Sequence, residues 1–378
     1  MELTVKKQDL VRELQLTQGV VERRTTIPIL SNLLLEAEGE TLRITATDLE
    51  LGIKTSCAAK VKKDGATTVP ARRLLEIVRT LPDAEVRFKG LENHRLELRC
   101  ERSQFKLVGM SKENFPVLAE FPHPLVELPA GLLQTLINKT QFAISQEESR
   151  YTLNGALLLL KPESIAMVAT DGHRLAHVEA AQKLAGLKAE VRVLVPRKAL
   201  AEVSRLLGEV EIKAAVEFAR DDSHLFFRVA GSPPAAGRVL ISRLLTGQFP
   251  NYEAVLPREN NRIVVLDRDL VAAAVRRADL VADQRNHAIR FTLTAEQAEV
   301  SASSSEYGEA HEELSVPPGF KGDPLEIGFN ASYLLDFFGA AANGPVSFEF
   351  KDEQSACQLR PLAEEDIKYR YVIMPMRL

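Results

Sequence analysis

The run Val168-Ala169-Thr170-Asp171-Gly172-His173-Arg174-Leu175-Ala176 sets a carboxylate, an imidazole and a guanidinium within four residues. It follows the apolar, strand-like segment Ala156-Leu157-Leu158-Leu159-Leu160. Asp171-Gly172 is a turn dipeptide, because glycine accepts backbone angles that cost other residues energy. Two chemistries suggest themselves for such a turn, acid–base catalysis by Asp171 and His173 or metal binding. Common metal sites need three or four ligands, and this stretch does not supply them. Nucleophilic catalysis needs a positioned Ser or Cys beside its base, and no G-x-S-x-G elbow occurs anywhere in the chain. A binding or structural turn is therefore expected, with neither catalytic residues nor a metal.

The elements that position this turn belong to a repeating plan. Thr68-Val69-Pro70-Ala71-Arg72-Arg73-Leu74-Leu75 is echoed by Leu194-Val195-Pro196-Arg197-Lys198-Ala199-Leu200, with Pro70 and Pro196 126 residues apart. Gly328-Phe329-Asn330-Ala331-Ser332-Tyr333-Leu334-Leu335 is a weaker third echo. Asn114-Phe115-Pro116 recurs as Gln248-Phe249-Pro250 and as Ile373-Met374-Pro375; Ala46-Thr47-Asp48 recurs as Ala169-Thr170-Asp171. One third of 378 residues is 126, so independent landmarks share the period of three tandem copies. Boundaries fall at the Pro-rich joint Glu120-Phe121-Pro122-His123-Pro124 and at Leu256-Pro257-Arg258-Glu259-Asn260-Asn261. The copies are then 1–122, 123–256 and 257–378.

Each copy reads as two short amphipathic helices among strands, an α+β class. Pro70 and Pro196 sit where a helix opens and a missing N–H costs nothing, and Asp267 and Asn330 are N-cap residues. Leu74, Ile77, Val78 and Leu81 share one helix face, as do Leu200, Val203 and Leu207 on another. Arg95-Leu96-Glu97-Leu98-Arg99 and Phe348-Glu349-Phe350 alternate at period two, as antiparallel strands do. An Ala-rich helix covers 270–278.

Composition adds constraints. Hydrophobic residues make up 45% and charged residues 26%, ordinary for a chain with real cores. Met1-Glu2-Leu3-Thr4 begins neither basic nor apolar, so a secretory signal is not expected, and no run approaches the ~20 apolar residues of a membrane span. Cys57, Cys100 and Cys357 are far apart and form no C-x-x-C pair, which fits reduced thiols of a cytoplasmic protein. The net charge of −4 hides a segregation. Six helical windows (6–19, 70–80, 131–142, 196–206, 267–279 and 330–341) together carry +5, and the rest of the chain −9. Helices that face one way would make one mildly basic surface, suited to phosphate contact without base readout. No recognition-helix, zinc-finger or RNP motif appears.

Thr68-Val69-Pro70-Ala71-Arg72, Arg150-Tyr151-Thr152-Leu153-Asn154-Gly155, Ala169-Thr170-Asp171-Gly172-His173-Arg174-Leu175 and the terminal Tyr371-Val372-Ile373-Met374-Pro375-Met376-Arg377-Leu378 together resemble the bacterial DNA polymerase III beta subunit, the sliding-clamp family, over the whole chain and in order. The resemblance implies three DNA-clamp domains per chain and a head-to-tail homodimer closed into a six-domain ring around duplex DNA. Such a ring is non-enzymatic, needs no cofactor and confers processivity. It implies three partners besides DNA bound without regard to sequence: the DNA polymerase III catalytic subunit, a clamp loader, and other replication and repair proteins bearing a clamp-binding peptide. Arg24, Arg72, Arg73, Tyr151, Arg197 and Lys198 become DNA-facing candidates, although Thr152 stands where the family often has a second aromatic.

The same resemblance implies a peptide pocket walled by Leu153, Thr170, Gly172, His173, Arg174, Leu175, Pro250, Val255, Val372, Met374, Pro375, Met376 and Arg377. Leu, Val, Pro and two Met make a soft apolar cleft, and His173, Arg174 and Arg377 a polar rim. Its ligand would be an extended segment with Gln and a Leu/Phe pair. Ala254 replaces the basic side chain the family commonly has before Val255. Phe105, Leu107 and Leu280 match the ring seam. Two other readings remain open on the residues alone: a peptide-binding repeat scaffold that does not encircle DNA, and an enzyme centred on Asp171, His173 and Arg174.

Overall fold

The computed structural model describes residues 1–378 except 23–24, 232–236, 296, 316–323, 364–365 and 378. Arg24 lies outside the described residues. Among the described residues each copy contributes eight strands and two helices, in the same order. The helices are α1 (Lys7–Thr17), α2 (Ala71–Thr80), α3 (Ala130–Thr140), α4 (Arg197–Leu207), α5 (Arg268–Asp279) and α6 (Ala331–Ala340).

The helices form where the apolar spacing asks for them. In α2, Leu74, Leu75 and Val78 are fully or nearly buried, and in α4 Leu200, Val203, Leu206 and Leu207 are. Leu75 thus takes the inward place expected of Ile77, which is half-buried. Asp267 caps α5 through Asp269 N and Leu270 N, and Asn330 caps α6 through Tyr333 N; such caps are worth about 1 kcal/mol each. Pro70 and Pro196 sit one residue earlier than expected. Each ends a strand (Gly65–Pro70 and Val191–Pro196) and the helix begins at the next residue. Both strands pair on one side only, so neither proline removes a ladder hydrogen bond.

The chain divides into two compact units that do not follow the copy boundaries. The first holds a twelve-stranded antiparallel sheet. There the eighth strand of copy one, Ser103–Val108, lies at one end. The fourth strand of copy one, Leu51–Lys63, pairs with the eighth strand of copy two, Arg238–Arg243, in the register Ile53↔Leu240. A buried ion pair, Glu13 with Arg238, crosses the same junction, and Arg238 Nε lies 3.0 Å from Glu13 Oε2. The joint at 120–124 is pinned here, with Phe121 edge-on to Phe226 at 5.9 Å and Arg228 over Phe121 at 4.1 Å.

The second unit holds an eight-stranded sheet and a four-stranded sheet. In the larger, the fourth strand of copy two, Arg174–Ala181, pairs with the eighth strand of copy three, Ile367–Ile373, in the register Leu175↔Val372. The fourth strand of copy three, Gly308–Ser315, is an end strand of the smaller sheet. At the second joint Asn260 Nδ2 donates to the carbonyls of Glu349 and Ala356. The alternating strands differ from expectation in one respect. Glu97 and Glu349 are buried like their apolar neighbours, because Arg99 and Gln104 satisfy the first and Gln358 and Arg360 the second.

Candidate functional site

The turn after Thr170 is locked by its own side chains. Asp171 Oδ1 accepts from His173 N at 2.9 Å and Arg174 N at 3.0 Å. Thr170 Oγ1 donates to Arg174 O at 2.6 Å and accepts from Gly172 N at 3.1 Å. Gly172 has φ +90°, open to glycine at little cost. Arg150 donates to the Asp171 carbonyl at 2.6 Å. The carboxylate that could have served as a catalytic base is thereby engaged with the turn itself.

Arg174 is the hub. Its Nε donates to Asp171 Oδ2 at 3.0 Å, Nη1 to Asp336 Oδ2 at 2.6 Å and Nη2 to the Phe142 carbonyl at 2.7 Å. The guanidinium lies over Tyr333 at 4.2 Å and Phe142 at 5.4 Å. Tyr371 stacks on Phe337 at 4.9 Å and donates to the Tyr333 carbonyl, and burial pushes its phenol well above the ordinary range. With its side chain 9% exposed, Arg174 spends its donors on the protein's own groups. Of the three residues expected to form a rim, His173 and Arg377 are the exposed ones. The His173 ring stacks on Tyr333 at 6.4 Å, and its carbonyl accepts from Met374 N at 2.9 Å. Among the described residues no group of three His, Cys, Asp or Glu is placed to hold a metal ion.

Beside this hub the second unit gathers the apolar candidates. Leu175 and Val372 share one core cluster with Leu157, Val168, Phe249 and Tyr252, and Leu153 packs on its edge. Thr170 is buried at its margin. Pro250 is exposed, Val255 is 44% exposed and Met374 43%, while Pro375 and Met376 are half-buried. Met376 is tied down by its N–H to the Gly328 carbonyl at 2.8 Å. Chemically the arrangement offers apolar side chains open to contact beside a rigid polar turn. Burying one Leu-sized ligand group on such a surface is worth roughly 1.5–3 kcal/mol. Sequence reasoning missed Phe142, Tyr333, Asp336 and Tyr371, which fix Arg174. It also passed over His177, four residues beyond His173, which is buried and stacks on Tyr252 at 5.7 Å.

The remaining candidates are dispersed. Arg72 and Arg73 are exposed on α2 and both reach Glu76, at 3.2 and 2.9 Å. Arg197 is exposed, and Tyr151 is exposed in the short turn Tyr151–Leu153. Lys198 is paired with the buried Asp48, which ties copy two to copy one and leaves its charge partly neutralised. Asp48 itself holds a turn like that of Asp171, accepting from Glu50 N and Leu51 N. Phe105 and Leu107 are half-buried on the end strand Ser103–Val108, and Leu280, just past α5, is 73% exposed.

Three α+β copies, each of eight strands and two helices and each joined to the next through a shared sheet, make this a protein of tandem DNA-clamp domains. The chain belongs to the DNA polymerase III beta subunit family: the N-terminal domain of that family matches residues 1–119, the central domain 127–251 and the C-terminal domain 253–377. It is 37% identical to the beta sliding clamp of Pseudomonas putida and 37% to that of Caulobacter vibrioides, over the full length of both chains in each case. The crystal structure of DNA polymerase III subunit beta from Pseudomonas aeruginosa is similar over all of both chains, with a TM-score of 0.91 at 36% identity.

Proposed function

We propose that two copies of this chain close head to tail into a ring of six clamp domains that encircles duplex DNA. The ring slides without reading sequence and tethers the DNA polymerase III catalytic subunit and other peptide-bearing replication and repair proteins. A clamp loader opens it. It acts in the cytoplasm as an accessory processivity factor with no chemistry of its own, and its domains are 1–122, 123–256 and 257–378.

The observation that carries this reading is the repeated join. The eighth strand of copy two pairs with the fourth of copy one, and the eighth of copy three with the fourth of copy two. One fourth strand, Gly308–Ser315, and one eighth strand, Ser103–Val108, are left at sheet ends. An open edge invites another strand. Applied between chains, the same join is heterologous and closes when its rotation suits two subunits. Phe105 and Leu107 then meet the partner beside Leu280. The exposed Arg72, Arg73 and Arg197, with Arg24 and Tyr151, supply weak phosphate contacts that permit sliding, while topology supplies retention. Lys198 contributes less, being paired with Asp48.

The peptide site is the surface around Leu153, Thr170, Gly172, His173, Leu175, Pro250, Val255, Val372, Met374, Pro375, Met376 and Arg377, with Arg174 holding its turn in place. The test is mass and threading. Sedimentation should give two chains per particle, and loaded protein should stay on a nicked circle yet leave a linearised one. Single chains at micromolar concentration, or equal loss from circle and line, would overturn the ring.

A further inference from the structure

The sheet face beneath the apolar cluster around Leu175 and Val372 continues into a charged one. Side chains directly opposite across neighbouring strands form rows: Thr170, Leu175 and Val372; then Leu157, Val168, His177 and Arg370; then Leu159, Ala166, Glu179 and Lys368. Each row lies about 7 Å beyond the last, the rise of two strand residues. Behind Tyr252 the second and third rows open a recess of about 290 Å³, lined by His177, Tyr252, Lys161, Arg258, Arg370, Glu179 and Glu253 among others. Leu159, Ala166, Tyr252 and Leu256 belong both to this recess and to the apolar cluster around Leu175 and Val372, so the two are continuous.

The charges there are unevenly satisfied. Ser164 donates to Glu179 at 3.3 Å, whereas among the described residues no carboxylate pairs with Lys161, Arg258 or Arg370. Other arginines have such a partner even where exposed, as Arg12, Arg72 and Arg277 do. A half-buried guanidinium without one, as at Arg370, is costly to leave unmatched. His177 does not add to the positive charge, since burial, with Arg370 acting the same way, holds its imidazole down at about 4. Lys161, Arg258 and Arg370 face Glu179 and Glu253 in the recess, and Lys368 stands opposite Glu179 at its edge, so the balance there is positive.

We infer that this recess is a second subsite for the partner peptide, taking one Asp or Glu side chain a residue or two from the apolar anchors, against Arg370 and Arg258. The inference rests on the reading of the Leu175–Val372 surface as the peptide site. A carboxylate fits the positive balance of charge there. Paired charges across an interface serve selectivity more than raw affinity.

The test uses the intact protein and a fluorescein-labelled decapeptide carrying Gln and a Leu-Phe pair, with Glu or Gln placed in turn at each flanking position. At low salt one placement of Glu should bind roughly three- to tenfold tighter than its Gln counterpart. Arg370→Gln should reduce that ratio to within twofold; Arg258→Gln, at an exposed site, should lower it partway. The subsite is refuted when no placement of Glu matters, or when the preference survives both substitutions. Failure of every peptide to bind wild-type protein would instead overturn the peptide site itself.

Discussion

Leu49 and Gly172 occupy the same position of the same turn in copies one and two, at φ +79° and +90°. The surrounding bonds match atom for atom. Thr47 Oγ1 donates to the Leu51 carbonyl and accepts from Leu49 N, as Thr170 Oγ1 does with Arg174 and Gly172. Asp48 Oδ1 accepts from Glu50 N and Leu51 N, as Asp171 Oδ1 does from His173 N and Arg174 N. The repeat preserves the Thr-Asp pair that closes the turn. The residue after it is glycine in copy two, which tolerates the left-handed region, and leucine in copy one, which does not.

Leu49→Gly should therefore be neutral to stabilising by up to about 1 kcal/mol: relief of backbone strain is offset partly by the greater entropy of an unfolded glycine. Leu49 is 47% exposed, so little packing is lost. Gly172→Ala should cost about 1 kcal/mol, and its Cβ would also crowd Arg150 Nη1 at 2.7 Å. Urea midpoints of the two variants moving in the same direction would contradict the assignment of strain.

The repeat, the six helices and the α+β class were legible because each rests on local signals: caps, 3.6-residue apolar spacing, and a period carried by Pro, Asp and Phe. The turn at Asp171 was legible for the same reason. Arg174's role was not, since its partners Phe142, Asp336 and Tyr333 lie 32, 162 and 159 residues away in sequence and nothing local announces them. Burial of Glu97 and Glu349 was hidden likewise: alternation reports one buried face, and these side chains on the other are satisfied by Arg99 on the same strand and by Gln104, Gln358 and Arg360 on neighbouring strands.

Arg174→Ala should destabilise the protein by roughly 2–4 kcal/mol, because Asp171 and the Phe142 carbonyl would lose a charged partner in a buried place, while Asp336, 45% exposed, recovers water. Arg174→Lys should rescue little: one ammonium cannot serve three acceptors in the plane of a fork and stack on Tyr333 as well. Denaturation midpoints followed by far-ultraviolet circular dichroism check this, and a lysine variant as stable as wild type would count against the hub.

His177 should make stability depend on pH in mild acid. Its folded pKa of about 4 lies below the ordinary 6.5 because the ring is buried and Arg370 is near. The unfolded chain therefore takes up the proton first. The stabilisation is complete above about pH 6.5, is lost as pH falls toward 4, and amounts to on the order of 3 kcal/mol. His177→Gln should remove that increment, so that the gap in stability between wild type and variant narrows between pH 6.5 and 4. A gap constant across that interval would show that the ring titrates normally.

Deleting Met374 to Leu378 should abolish peptide binding and leave the two-chain particle intact. Met374, Pro375, Met376 and Arg377 make up one side of the proposed peptide site, and energy in such sites is concentrated in few residues, so a loss of at least a hundredfold in affinity is expected. The strand that carries the tail should survive. Ile367–Ile373 keeps its ladders to Arg174–Ala181 and Cys357–Pro361, and among the described residues the backbone bonds lost are those of Met374 N to His173 and Met376 N to Gly328. The strands offered for the seam, Ser103–Val108 and Gly308–Ser315, lie elsewhere in the chain. Sedimentation and anisotropy on one preparation separate the outcomes. A truncated protein that still binds peptide would move the site away from the tail, and one that falls to single chains would place the tail in the seam.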